Sequence, residues 1–122
     1  MNRPQRDPDA GDILLRRLIG GDLAVAADLV QAATGSDSVG LLVAAGVLAA
    51  DSAPLLRAAA LATSTRERQL VALAQLRLEG QVELFDALIR DHLASYPDHL
   101  LAAWLAGHRP LASTDPNERT LR

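Results

Sequence analysis

The fold is decided by residues 64–97, which read STRERQLVALAQLRLEGQVELFDALIRDHLASYP. Ser64 and Glu67 fit the S-x-x-E pattern that caps the start of a helix, and Gly80 is the residue type that closes one. Pro97 ends the following helix, because proline cannot continue a helical hydrogen-bond ladder. This stretch therefore predicts two helices joined by a tight turn.

The same arrangement recurs towards the N-terminus. Turns at residues 20–22, 50–52 and 79–81 interrupt Ala/Leu-rich helical patterns at intervals of about thirty residues. A fixed period of this size is typical of a helical solenoid, in which each hairpin buries its apolar face against its neighbours. We predict an all-α superhelix of about three helical hairpins, closed by a C-terminal helix over residues 98–106.

The pattern also predicts where each helix begins and ends. Residues 1–8 and 109–122 contain prolines and many polar residues, so we expect disordered arms there and a helical-repeat domain over residues 9–108. Gly40 and Gly46 interrupt the third helix, and we expect close approach of a neighbouring helix to compensate for them. The first six predicted helices span residues 9–19, 22–33, 37–50, 52–62, 65–79 and 81–95.

Apolar residues in the second and sixth helices recur at helical spacing. In the second helix the predicted buried stripe begins at Leu23. The sixth helix is the most clearly amphipathic, and its acidic residues are expected to face water. Its predicted inward side chains are Val82, Phe85, Leu88, Ile89, Leu93 and Tyr96.

Composition excludes several classes of protein. Asp and Glu number 15 against 12 basic residues, all of them Arg, so no basic stripe suggests nucleic-acid binding. Aromatic residues make up 2% of the chain, too few for a base-stacking or sugar-stacking platform, and cysteine is absent. The first residues lack an apolar signal core, and the run from Val39 to Ala50 is too short to span a bilayer. We expect a cytoplasmic protein that needs neither membrane nor cofactor.

The stretches 64–68, 79–81, 88–93 and 96–98 together resemble the tetratricopeptide-repeat superfamily, and most closely bacterial relatives of tetratricopeptide repeat protein 38. That family shows a similar capped R-E-R start, a glycine between paired helices, an R-x-H-L helix end and a Pro-Asp boundary. The resemblance covers about residues 39–108. It implies a bacterial interaction scaffold without catalytic residues.

The three histidines, His92, His99 and His108, admit two interpretations. His92 and His99 flank the Tyr96-Pro97 turn, with aspartates beside them, so a zinc site can be imagined. None of the pairs has the i, i+4 spacing that places two imidazoles on one helical face. The other interpretation puts His92 and His108 at helix C-termini, where the dipole favours a charged imidazole, and His99 on the surface.

The seventh helix is apolar on nearly every side, and no eighth helix follows to cover it. Terminal units of solenoids normally present a polar outer face. Leu101, Trp104 and Leu105 are therefore candidates for docking another protein or a second copy of this chain, since Trp is a favoured interface anchor. Alternatively, Trp104 packs inward on the sixth helix.

The sequence as a whole predicts a protein-interaction or scaffold module with no catalytic activity, no metal and no cofactor. The alternative is a small helical regulatory domain that binds a ligand or metal between its hairpins. Arg66, Glu67 and Arg68 admit either a grip on an acidic partner or ordinary solvated pairs along one helix.

Overall fold

The computed structural model describes residues 8–107, and within them every regular element is helical. This confirms the all-α prediction. The predicted disordered segments 1–8 and 109–122 lie outside the described residues, apart from Pro8, which begins the first helix. The elements are α1 (Pro8–Ile19), a 3-10 helix (Leu23–Val25), α2 (Ala26–Ala33), α3 (Val39–Ala49), α4 (Ser52–Leu61), α5 (Thr65–Glu79), α6 (Val82–Ser95) and α7 (Leu100–Gly107).

The predicted caps set the ends of α5. Ser64 Oγ accepts a hydrogen bond from the backbone N–H of Glu67 over 3.1 Å. Glu67 Oε1 accepts from the backbone N–H of Thr63 over 2.9 Å, one residue before the position that the capping box predicts. At the other end Gly80 has φ +73°, and the N–H of Gln81 donates back to the carbonyl of Leu76. This left-handed closure turns the chain directly into α6.

Helix α3 is the centre of the molecule. Every residue from 41 to 47 is buried, because apolar or small side chains surround the helix on all sides. It packs against α1 and α2 before it in the chain and against α4 and α5 after it. The remaining helices thus share one hydrophobic core built around this one.

Gly46 marks the closest approach of two helices. A Cβ atom at this position would lie 2.9 Å from both Cγ and Cδ2 of Leu55, a fully buried residue of α4. The expected compensation for a helical glycine is therefore confirmed here. At Gly40 a Cβ would meet Leu15 and Leu101 at 3.5 Å, an ordinary van der Waals distance.

The first and last described helices touch each other. Helix α7 packs on α6 and also contacts α1, and Leu15 and Leu101 come together beside Gly40 of α3. Arg77 of α5 reinforces this end of the molecule, since its Nη2 donates to the carbonyl oxygen of Leu105 over 2.7 Å. The Arg77 guanidinium also lies 4.5 Å from the centre of the Phe85 ring.

The turn between α3 and α4 contains an unusual backbone conformation. Ala50 has φ +53° and ψ +44°, the left-handed region that a side chain disfavours. Asp51 completes the turn: its N–H donates to the Gly46 carbonyl over 2.9 Å, and its Oδ1 accepts from the N–H of Ala53. The carboxylate of Asp51 therefore caps α4 as a side-chain acceptor.

Two predicted apolar faces are wrong in part. On α6 the buried stripe is Phe85, Ile89 and His92, at i, i+4 and i+7, whereas Val82 is 58% exposed and Leu88 is 41% exposed. Val82 lies on one side of that narrower stripe and Leu88 on the other. The second predicted helix begins as a 3-10 turn rather than an α-helix, which leaves Leu23 in solvent at 64% exposure.

Candidate functional site

The three residues predicted to dock a partner do not share one exposed face. Leu101 and Leu105 are buried, because α7 turns them towards the core beneath α1 and α6. Trp104 is half-buried and packs against the same core. The large apolar side chain that α7 leaves in solvent is Leu100, which is 62% exposed. Any docking through α7 is thus restricted to Leu100 and the open side of Trp104.

Two of the three histidines meet inside the protein. His92 Nε2 lies 2.8 Å from His99 Nδ1, and His92 Nδ1 lies 2.7 Å from Oε1 of Gln69 on α5. Both rings are buried, so the expected surface position of His99 is wrong: the Tyr96-Pro97 turn folds His99 back over the end of α6. We call Gln69, His92 and His99 the histidine chain. His108 lies outside the described residues.

The partners of His92 decide where its proton sits. The carboxamide of Gln69 is assigned with Oε1 towards the ring, and an amide oxygen only accepts, so Nδ1 of His92 carries the hydrogen. Nε2 of a neutral His92 is then an acceptor, and Nδ1–H of His99 donates to it. The histidine chain therefore has a direction: His99 donates to His92, which donates to Gln69.

Burial keeps both rings neutral at pH 7. Desolvation is the main cause that lowers the pKa of His99 to about 4, and the nearby Arg66 and His92 lower it further. Asp98 acts in the opposite direction and raises that pKa in part. For His92, too, burial followed by the charge of Arg66 lowers the pKa. His92 does lie in the last turn of α6, as predicted, but the partial positive charge expected for its imidazole there is wrong.

The histidine chain does not have the form of a metal site. Its two closest ring nitrogens point at each other, and within residues 11–107 no three His, Cys, Asp or Glu side chains gather as ligands.

A groove runs between α5 and α6 beside the histidine chain. Its volume is about 330 Å³. Leu88 and, one turn earlier on α6, Leu84 are 41% and 49% exposed. We call this cleft the α5–α6 groove. Gln69, Ala72 and Leu73 line it from α5, and Leu88, Asp91 and His92 line it from α6.

A second groove, of about 320 Å³, lies between α2, α3 and α4. Small and apolar residues such as Ala33, Ala45 and Pro54 form much of its wall. Arg57 lines it as well, but its guanidinium already donates to the Thr34 carbonyl and to Asp37 Oδ1, each over 3.2 Å. This cation is engaged within the chain.

Sequence reasoning missed the histidine chain and the α5–α6 groove. The available signal was the spacing of seven between His92 and His99 across a Tyr-Pro turn. The pair was interpreted as a candidate zinc site or as two separate positions, whereas the turn brings the two rings into a direct hydrogen bond. The groove had no such signal, because Leu88 was placed in the core.

The chain matches no family model, and no curated protein or solved structure is significantly similar to it. The resemblance to tetratricopeptide repeats stays a prediction. Among the helices between residues 8 and 107, none combines the length and apolar character that crossing a membrane requires.

Proposed function

We propose that this chain is a protein-interaction module whose α5–α6 groove holds an apolar helical segment of a partner. The observation that carries the proposal is the pair Leu84 and Leu88. These leucines keep nearly half of their surface in solvent and follow one another along the same side of α6, and Leu88 lines a groove of about 330 Å³. Grooves of this kind accept the apolar face of an amphipathic helix through anchors at i, i+3 and i+4.

The chemistry of the groove narrows the class of partner. Covering the exposed parts of Leu84 and Leu88 contributes about 1 kcal/mol each. Gln69 and Asp91 stand at the rim and offer polar contacts to a segment lying across them. The negative charge of Asp91 favours a segment that carries Lys or Arg beside its apolar anchors. No catalytic group is needed for this role.

We further propose that the helices form a tetratricopeptide-like superhelix. In such an array each helical hairpin packs against the hairpins next to it in the chain. The contacts of α3 with α1, α2 and α4, and those of α5 with α3, α4 and α6, support this arrangement. The contact between α1 and α7 closes the array more tightly than an open stack of hairpins would.

The binding test uses a displayed library of amphipathic peptides of about 16 residues, a length that permits helix formation. Binders enriched on the wild-type chain are measured by fluorescence anisotropy against Leu88→Glu and against Leu56→Glu. Leu56 on α4 is 63% exposed and lies outside the groove, so it is a matched control. We expect Leu88→Glu to weaken binding by at least about tenfold, and Leu56→Glu to leave it unchanged. The proposal fails if no enriched peptide depends on Leu88.

The groove between α2, α3 and α4 favours a second candidate function, binding of a small ligand between hairpins. Its volume of about 320 Å³ reaches the lower end of the range for small-molecule sites. A thermal-shift screen with small apolar compounds tests this function, since a ligand of the folded state raises the melting temperature. Ala45→Leu fills the groove and should abolish any such shift; a shift that persists in this variant places the ligand elsewhere.

A further inference from the structure

The histidine chain joins three separate parts of the fold. Gln69 belongs to α5, His92 to the last turn of α6, and His99 to the turn that leads into α7. His92 also lines the α5–α6 groove. Two hydrogen bonds therefore hold the α6–α7 junction against the wall of the proposed binding site.

The hydrogen bond between His92 and His99 depends on how many protons the two rings carry. With both rings neutral, one hydrogen lies between Nε2 of His92 and Nδ1 of His99, which are 2.8 Å apart. If both rings were protonated, two N–H groups would point at each other across that distance. A single added proton on Nε2 of His99 would leave the bond between the rings in place, but the charge would then be buried in the core.

The charged neighbours mostly oppose protonation. Arg66 on α5 acts against a positive charge on either ring. Asp98 in the turn favours a charge on His99, and Asp91 on α6 borders the groove in solvent. Tyr96 stacks at a tilt on His92, with ring centres 4.9 Å apart. Helix α7 itself, Leu100–Gly107, contributes no titratable side chain.

We propose that Gln69, His92 and His99 form an acid-sensitive clasp: protonation of the two rings separates them, releases α7 from the end of α6 and reshapes the α5–α6 groove. The effect on partner binding rests on the proposed function. The release of α7 does not, so it can be tested on the chain alone. Neutral rings hold the clasp closed, and acid opens it.

The first experiment follows the wild-type chain from pH 7.5 to pH 3, which passes the pKa of about 4 of His99. Histidine ring signals in NMR spectra give the protonation of each imidazole, and the emission of Trp104, the one tryptophan of the chain, reports on α7. We expect His99 to titrate well below the ordinary value of about 6.5 and His92 to titrate below that value, with Trp104 emission moving to longer wavelength in the same interval. Titration of His99 at pH 6 or above, or a Trp104 signal that does not change as the two rings titrate, overturns the clasp.

The second experiment uses His99→Asn. The side-chain NH₂ of asparagine occupies the place of Nδ1 and can still donate to His92, but it does not titrate. The acid transition of Trp104 should vanish or move down by about one pH unit. His108→Asn removes the remaining histidine, assigns its signal and should leave the transition unchanged. If His99→Asn keeps the wild-type transition, ordinary protonation of carboxylates explains it and the clasp is refuted. If the variant does not fold, the wild-type titration decides alone.

Peptide binding separates the two proposals. A peptide selected on the wild-type groove should lose affinity on acidification in step with the clasp, and less so in His99→Asn. Acid release of α7 with no peptide ever binding the groove refutes the proposed function only. Binding that does not change while both rings titrate removes the clasp and leaves the function intact.

Discussion

Adding one methyl group at Gly46 should destabilise the protein, although alanine is the better helix former. The new Cβ would lie 2.9 Å from two atoms of Leu55 and 3.1 Å from the carbonyl oxygen of Asp51. Leu55 has no exposed surface to move into, and the Asp51 backbone is held by its own hydrogen bond to Gly46. Overpacking of this kind costs about 1–3 kcal/mol. Alanine recovers about 1 kcal/mol through helix propensity, so the net loss should be about 1 kcal/mol.

Gly40→Ala is the matched control within the same helix. Its Cβ would meet Leu15 and Leu101 at 3.5 Å, where no neighbour has to shift. Near the start of the helix the gain in propensity is smaller, about 0.5 kcal/mol. The two Gly→Ala changes should thus have opposite signs. Urea and thermal unfolding followed by circular dichroism at 222 nm measure both, and the melting temperatures should differ by roughly 10 °C.

A third variant tests the cause. Leu55→Ala removes the atoms that obstruct the new methyl group, so the double variant with Gly46→Ala should be more stable than the sum of the single losses predicts. The packing argument is refuted if both Gly→Ala changes shift stability in the same direction. It is equally refuted if the effects of Gly46→Ala and Leu55→Ala simply add.

Three further predictions concern the backbone, pH and self-association. Ala50→Gly should stabilise the fold by about 1 kcal/mol, because glycine relieves the left-handed conformation at φ +53°; thermal unfolding that shows no gain contradicts this. The free energy of unfolding should be flat above about pH 6.5 and fall as pH drops towards 4, with about 3 kcal/mol of the loss due to His99, because the unfolded chain protonates His99 near 6.5 while the folded pKa is about 4. Urea titrations at several pH values check the sign, and a loss on going to higher pH would contradict it. Self-association through α7 should use Leu100 and the exposed part of Trp104. Leu100→Glu should therefore lower the sedimentation coefficient of the chain. Wild type and variant that both sediment as identical monomers would contradict this prediction.

Local signals in the sequence predicted the helices well. Ser64 caps α5 and Gly80 closes it, because each residue acts on backbone groups within a few positions along the chain. Gly46 was correctly expected at a close helix contact. Such features depend on neighbours in sequence or on one adjacent helix. The helical period in the sequence is enough to predict both.

The predictions failed where a residue from a distant part of the chain determines whether a side chain is buried or exposed. Leu88 fits an apolar helical stripe as well as Ile89 does, and only the placement of α5 and α7 buries one and exposes the other. His99 was expected in solvent, but the hydrogen bond to His92 depends on how the Tyr96-Pro97 turn folds. Leu101 was expected to be free because the sequence predicts no eighth helix, but Leu101 contacts α1 instead.

The meeting of α1 and α7 beside Gly40 has a consequence for how the molecule comes apart. In a linear array of hairpins the end units fray first, and their amide hydrogens exchange through partial openings. Here α1 and α7 cover each other, so the loss of one uncovers the other and the central helix beneath them. Amides in α1 and α7 should therefore approach the slow exchange of α3, as in a single cooperative unit.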